Sequence, residues 1–395
     1  MGPWLSIIGI GEDGIEGLSP ASRGALDEAD IVFGGPRHLE LAEAGARGRA
    51  WPLPFSVEPV LACRGKRVAV LASGDPFWFG VGGTLAIYID PGEWRAYPAV
   101  STFSLVAARL GWRIEETQCL GLHAVPVERL ATHAGDGLKL ICLMRDGDAL
   151  CGLGGWLSRN GFGESRVFVF ESVGGPRERI RELRASELAQ GEFGPLVALA
   201  LHMCGGKGRI CSSGLPDDAF QSDGQITKRP VRAITLSTLA PRAGERLWDI
   251  GGGSGSISIE WLLAAGERGA AVTIEPRADR AAAIRANAAA YGLAQALTVI
   301  EGVAPAALQG LASPHAVFVG GGASQGLLEA IWSIVPAGTR IVANAVTIET
   351  EALLTSWSGK CGGELLRIEL AHAMPLGNKR GWSPARPVVQ WSVTR

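Results

Sequence analysis

Arg246-Leu247-Trp248-Asp249-Ile250-Gly251-Gly252-Gly253-Ser254-Gly255 is an apolar strand pattern running into a glycine loop, and a helix-like run from 257 to 265 follows it. In that order, strand, glycines and helix let backbone amides approach an anionic or polar ligand at the helix N-terminus. Around this stretch, strands are expected at 271–274, 297–300, 316–319, 340–343 and 364–370. Helices are expected at 230–239, 278–291, 305–311 and 327–334, with Pro230 tolerated in a first turn. Strands alternating with helices make a doubly wound parallel sheet.

A second glycine loop, Gly9-Ile10-Gly11-Glu12-Asp13-Gly14, sits near the start. Strand-like runs at 4–9, 30–33, 67–72, 138–143, 166–170 and 196–201 alternate there with helical stretches such as 20–29, 104–110 and 178–188. Periodicity lapses between His202 and Gln225, which predicts a domain over 1–204, a linker over 205–222 and a domain over 223–395. The halves do not repeat each other in sequence. Two α/β domains of different type, each with its own ligand site, are expected.

The 395 residues suffice for several cores, and 47% hydrophobic against 19% charged residues argues against disorder. Apolar stretches stop well short of the roughly 20 residues a bilayer demands, and no basic-then-apolar leader opens the chain, so a cytoplasmic protein is expected. Cys63, Cys119, Cys142, Cys151, Cys204, Cys211 and Cys361 are scattered without metal-ligand spacing, and they read as reduced, with no metal bound. A net charge of −2 supplies no field for nucleic acid or a membrane. Local basic groups remain at Lys228, Arg229 and Arg232, and at Lys379, Arg380 and Arg386.

The strand after the main glycine loop ends in Glu275, where a carboxylate can accept both hydroxyls of a ribose. NAD(P) and S-adenosylmethionine both ask for this acid. Asp249 favours the second, because an acid before the glycines repels a pyrophosphate and suits a cationic amino-acid end. An NAD(P)-dependent oxidoreductase and a non-catalytic two-domain binding protein stay as alternatives.

The segments Leu215 to Phe220, Asp223-Gly224-Gln225-Ile226-Thr227-Lys228-Arg229, Trp248 to Ser256, Phe318 to Ala323 and Val342 to Glu351 resemble the decarboxylating methyltransferase domain that acts on precorrin-6B in cobalamin biosynthesis. The resemblance implies that Thr227, Gly251, Gly253, Gly255, Glu275, Val303 and Ala304 line an S-adenosylmethionine pocket. Pro230 departs from the acid usual in that family after Thr-Lys-Arg. In the first half Gly9 and Gly11, Gly74 and Asp75 in Ala72-Ser73-Gly74-Asp75-Pro76, and Ser101 and Thr102 in Val100-Ser101-Thr102-Phe103 resemble the three signature loops of the tetrapyrrole methylases, and imply a second donor site. Leu120-Gly121-Leu122-His123 matches too, with His123 a possible substrate contact, while Ala124-Val125 and Arg145 depart from the family pattern. The fold implied is a two-lobed tetrapyrrole methylase followed by a Rossmann-like methyltransferase.

Joined, the halves resemble the precorrin-6B 5,15-methyltransferase (decarboxylating) family, which implies methylation of ring carbons 5 and 15, loss of the acetate carboxyl on carbon 12, and precorrin-8 as product. Such chemistry needs orientation rather than a nucleophile. Lys228, Arg229 and Arg232, then Lys379 and Arg380, are the expected partners of the tetrapyrrole carboxylates. Asn344 and Glu349 fall at the expected ligand edge of the second sheet and are the catalytic candidates. A homo-oligomer with a tetrapyrrole substrate is expected.

Overall fold

The computed structural model describes residues 2–208, 210 and 212–395; Arg209 and Cys211, both in the expected linker, lie outside them. The chain divides into one unit of Met1–Val127 with His133–Gly208 and another of Glu128–Thr132 with Arg209–Arg395. No helix among the described residues is long and apolar enough to cross a membrane.

In unit one, β1 (Leu5–Ile10), β2 (Ile31–Gly34), β3 (Gly48–Ala50), β4 (Val68–Ser73) and β5 (Trp94–Tyr97) form a parallel sheet in the order β3-β2-β4-β1-β5. The first five residues of β4 are all buried, as a parallel strand covered on both faces must be. A second sheet, β6 (Thr117–Gly121), β7 (Lys139–Leu143), β8 (Arg166–Glu171), β9 (Arg179–Arg184) and β10 (Val197–His202), runs in the order β6-β7-β10-β8-β9 and is mixed. The helix expected over 178–188 is instead the edge strand β9 followed by a 3-10 turn, Ala185–Gln190. Its alternating charges pair across the strands, Arg166 with Glu182 at 2.8 Å, and sheet pairing overrides helical propensity.

Unit two follows with β11 (Arg246–Ile250), β12 (Ala270–Glu275), β13 (Leu297–Glu301), β14 (Ala316–Val319), β15 (Arg340–Ala345) and β16 (Glu364–Ile368), then the hairpin β17 (Ala371–Leu376) and β18 (Lys379–Pro384), and β19 (Val388–Thr394). The sheet order is β13-β12-β11-β14-β15-β19-β16, with β19 the antiparallel insertion. Apolar clusters around Trp261 on one face and Trp391 on the other make it doubly wound. The helix expected over 305–311 shrinks to one 3-10 turn, Ala306–Leu308. Strand order reverses between β12-β11 and β11-β14, and a ligand crevice opens at such a switch point.

Candidate functional site

In unit two, β11 delivers the glycine loop and β14 delivers Gly320–Gly322 to one cavity of about 680 Å³. Gly251 has φ +76°, and a Cβ there would sit 2.8 Å from the Gly321 nitrogen, so the two loops meet as bare backbone. At the end of β12, buried Glu275 accepts the Gly253 N–H at 2.9 Å on one oxygen and the Arg277 N–H at 3.2 Å on the other. A carboxylate has about four lone-pair sites, so two remain for hydroxyls on the cavity side. Cradle, pinned acid and volume together fit a nucleoside-bearing donor.

Thr227, Lys228, Gly253, Val303, Ala304 and Asn344 line the same cavity. Asn344 is fixed at both ends, donating from Nδ2 to Thr235 Oγ1 at 3.0 Å and accepting at Oδ1 from Gln390 Nε2 at 2.9 Å. Gln225, Arg280, His372 and Arg386 also line the cavity. Arg280 is steered by Asp223, whose carboxylate accepts from its Nε at 2.9 Å, while His372 arrives on hairpin strand β17 and Arg386 on the segment that follows β18. Arg386 stands among the basic groups the sequence marks; nothing local in the sequence marks Arg280 or His372.

Several expectations need correction. Asp249 is fully buried beneath the loop and does not reach the cavity; one oxygen accepts from Ser258 Oγ at 2.7 Å and the other has no partner. Burial pushes its carboxyl up to about 6, with Glu275 adding to the rise and Ser258 opposing it. It cannot meet a cationic ligand directly. Arg232 is fully buried as well, donating to Glu260 at 2.6 Å and Asp217 at 3.1 Å, to the Leu215 carbonyl, and lying 5.0 Å from the Phe220 ring. Its guanidinium is used up inside the fold and cannot contact substrate. Arg229, at the start of helix Arg229–Leu239, points its amide to Asp217, and Gly255 packs beneath the loop against Ile284; neither lines the cavity. Exposed Glu349, in the first turn of helix Ile348–Cys361, and Lys379 and Arg380, on the exposed β18, also lie off it.

Unit one has a cavity of about 310 Å³ at the carboxyl ends of β1 and β4, lined by Gly11, Gly74, Asp75, Ser101, Thr102 and His123. Gly9 lies beneath it, where a Cβ would fall 1.9 Å from the Gly74 carbonyl oxygen, so the first two loops can touch only as backbone. Asp75 accepts the Phe77 N–H at 2.8 Å, and Ser101 caps helix Thr102–Leu110 by accepting the Ser104 N–H at 3.1 Å. Glu12, Arg37, His38, Trp78 and Phe79 also line the cavity, and no sequence motif assigns them a role there.

The Precorrin methyltransferase domain family matches residues 218–395, and the Tetrapyrrole (Corrin/Porphyrin) Methylases match residues 5–189. The precorrin-6Y C(5,15)-methyltransferase [decarboxylating] of Sinorhizobium sp is 48% identical over 100% of this chain and 97% of its own length. The protein of that name from Mycobacterium tuberculosis (strain ATCC 25618 / H37Rv) is 38% identical over 99% of this chain and 100% of its own. A crystal structure of the C-terminal domain of precorrin-6Y C5,15-methyltransferase from Rhodobacter capsulatus is 56% identical, covering 47% of this chain and 100% of that one with a TM-score of 0.46. With two family domains in series and relatives matched from end to end, the chain belongs to the precorrin-6Y C(5,15)-methyltransferase (decarboxylating) family.

Proposed function

We propose that the chain is a bifunctional methyltransferase of cobalamin biosynthesis that holds one S-adenosylmethionine in each unit. The domain over residues 223–395, within unit two, removes the acetate carboxyl on carbon 12 of precorrin-6B and methylates carbon 15. The domain over residues 1–204, the bulk of which is unit one, methylates carbon 5, so that precorrin-8 is released. The observation that carries this reading is the pairing of two separate cavities, each built at the carboxyl ends of parallel strands around glycines where a Cβ cannot fit. A cytoplasmic setting and a homo-oligomer complete the proposal, without nucleic-acid or membrane partners, for which the near-neutral net charge of −2 offers no attracting field.

S-adenosylmethionine supplies a methyl on a positive sulfur to an electron-rich ring carbon. The residues of this chain supply position, which for aligned reactants is worth about 7–11 kcal/mol of barrier. In unit two, Lys228 and Arg386 on the cavity lining are placed to pair with carboxylates that stay on the ring. Val346, Leu370 and Val388 give the same lining an apolar stretch on which an unpaired acetate loses water, favouring departure of its carboxyl. Asn344, held by Thr235 and Gln390, presents a neutral amide on the same lining and orients without taking the proton.

The test is mass analysis of the product from precorrin-6B and from its cobalt-containing counterpart. A gain of two methyl groups with loss of carbon dioxide is expected on one of them. A product retaining its acetate, or carrying one new methyl after exhaustive turnover, refutes the reading.

A further inference from the structure

Three neighbouring strands of unit one end in polar side chains that the donor-site loops leave unexplained. Glu12 follows β1, Arg37 and His38 follow β2, and Ser73 closes β4; all four line the 310 Å³ cavity. Arg37 Nη1 pairs with Glu12, while Nη2 donates to Ser73 Oγ at 2.8 Å and lies 2.9 Å from His38 Nε2. His38 Nε2 is itself 2.8 Å from Ser73 Oγ. With the ring proton on the buried, unpartnered Nδ1, Nε2 is an acceptor shared by the Ser73 hydroxyl and Arg37 Nη2, and Ser73 Oγ in turn accepts from Arg37. Burial, helped by the Arg37 charge, lowers the His38 imidazole to about 4, in keeping with a neutral ring.

Glu12 is fixed from behind, since a Cβ on Gly175 would lie 2.5 Å from the Glu12 Cβ. Its side chain is 7% exposed, whereas that of Arg37 remains 33% exposed. A pair of this kind stabilises a fold no better than apolar residues of similar volume do. What it achieves is a guanidinium locked at a cavity wall, with its Nε–H and one Nη1 hydrogen uncommitted.

We propose that Arg37, positioned by Glu12, Ser73 and His38, forms a carboxylate-binding subsite in the cavity of unit one. The carboxylate comes either from an acid side chain of the tetrapyrrole or from the amino-acid end of the methyl donor. The assignment rests on the reading of this cavity as a methyl-transfer site.

The test compares full-length wild type with Arg37→Met and Arg37→Lys, measuring S-adenosylhomocysteine affinity by calorimetry and the KM of the tetrapyrrole for the methyl added at carbon 5. Loss of a charge-assisted pair weakens one constant by about 10- to 100-fold in Arg37→Met, and Lys, lacking the planar fork, restores only part of it. A raised KM with unchanged S-adenosylhomocysteine affinity assigns the subsite to the tetrapyrrole; the reverse assigns it to the donor. Both constants within twofold of wild type overturn the proposal. Should Arg37→Met not fold, Glu12→Gln loosens the same guanidinium, and unchanged constants there overturn it equally. Wild type that adds no methyl at carbon 5 defeats the methyl-transfer reading itself, whereas normal transfer with undisturbed variants defeats only the subsite.

Discussion

Arg232 donates to Glu260 at 2.6 Å, and Glu260 in turn accepts the Gly214 and Leu215 amides at 2.6 and 2.9 Å. The pair therefore pins the segment before helix Arg229–Leu239, and through the Thr227 carbonyl it also holds a residue of the cavity wall. Arg232→Met leaves Glu260 buried without its cation, which destabilises unit two by about 3–5 kcal/mol. Urea unfolding followed by tryptophan fluorescence checks this, and Arg232→Met combined with Glu260→Gln, which removes the charge yet keeps an acceptor for the Gly214 and Leu215 segment, recovers part of the loss. Asp249 makes a prediction of opposite character. Its folded-state carboxyl is raised to about 6 from an ordinary 3.8, so the folded protein holds a proton that the unfolded chain has already released. Stability therefore falls as pH rises through the window from about 4 to about 6, by at most about 3 kcal/mol. Asp249→Asn abolishes that part of the slope. Denaturation midpoints of both proteins at pH 4.5 and 7 that track in parallel would refute the assignment.

The elements divide by how local their determinants are. β4 is legible because a continuous apolar run ahead of a glycine reports a covered parallel strand, β11 because a mostly apolar run leads into the glycine loop, and Glu275 because its distance from the loop is set by one strand–helix–strand unit. β9 is not, since Arg179–Arg184 reads equally as a helix face until β8 supplies cross-strand partners. The subsite around Arg37 is illegible for a related reason: strands far apart in sequence deliver its members, and only the sheet order makes them neighbours. The exposed hairpin β17–β18 escaped notice because its alternation is broken by Pro375 and Pro384. A two-stranded ribbon exposed along nearly all its length is marginal on its own. Amide exchange is accordingly expected to be orders of magnitude faster for Met374–Trp382 than for β11. Mass-resolved exchange measures this, and equal protection would show the ribbon packed against something further.

At the scale of the whole molecule the two cavities belong to different folds, one beside a five-stranded parallel sheet and one at the switch point of a seven-stranded sheet, and neither borrows a lining residue from the other unit. If each cavity holds a donor as proposed, the two sites are expected to act independently, and a pair of backbone substitutions tests it. Gly9→Ala sets a methyl 1.9 Å from the Gly74 carbonyl oxygen, and Gly251→Ala sets one 2.8 Å from the Gly321 nitrogen at a positive φ. In both cases the obstacle is backbone, which cannot rotate aside, so the affected loop must move and its cradle opens. Wild type is expected to bind two equivalents of S-adenosylhomocysteine in calorimetry and each variant one, with far-UV circular dichroism unchanged. The surviving site should differ between the variants, carbon 15 methylation and decarboxylation persisting in Gly9→Ala and methylation at carbon 5 in Gly251→Ala when each is given the appropriate precursor. A wild-type stoichiometry of one would overturn the assignment of a donor to each unit. Loss of both equivalents in a folded single variant would show instead that the sites are coupled, against the separation of their linings.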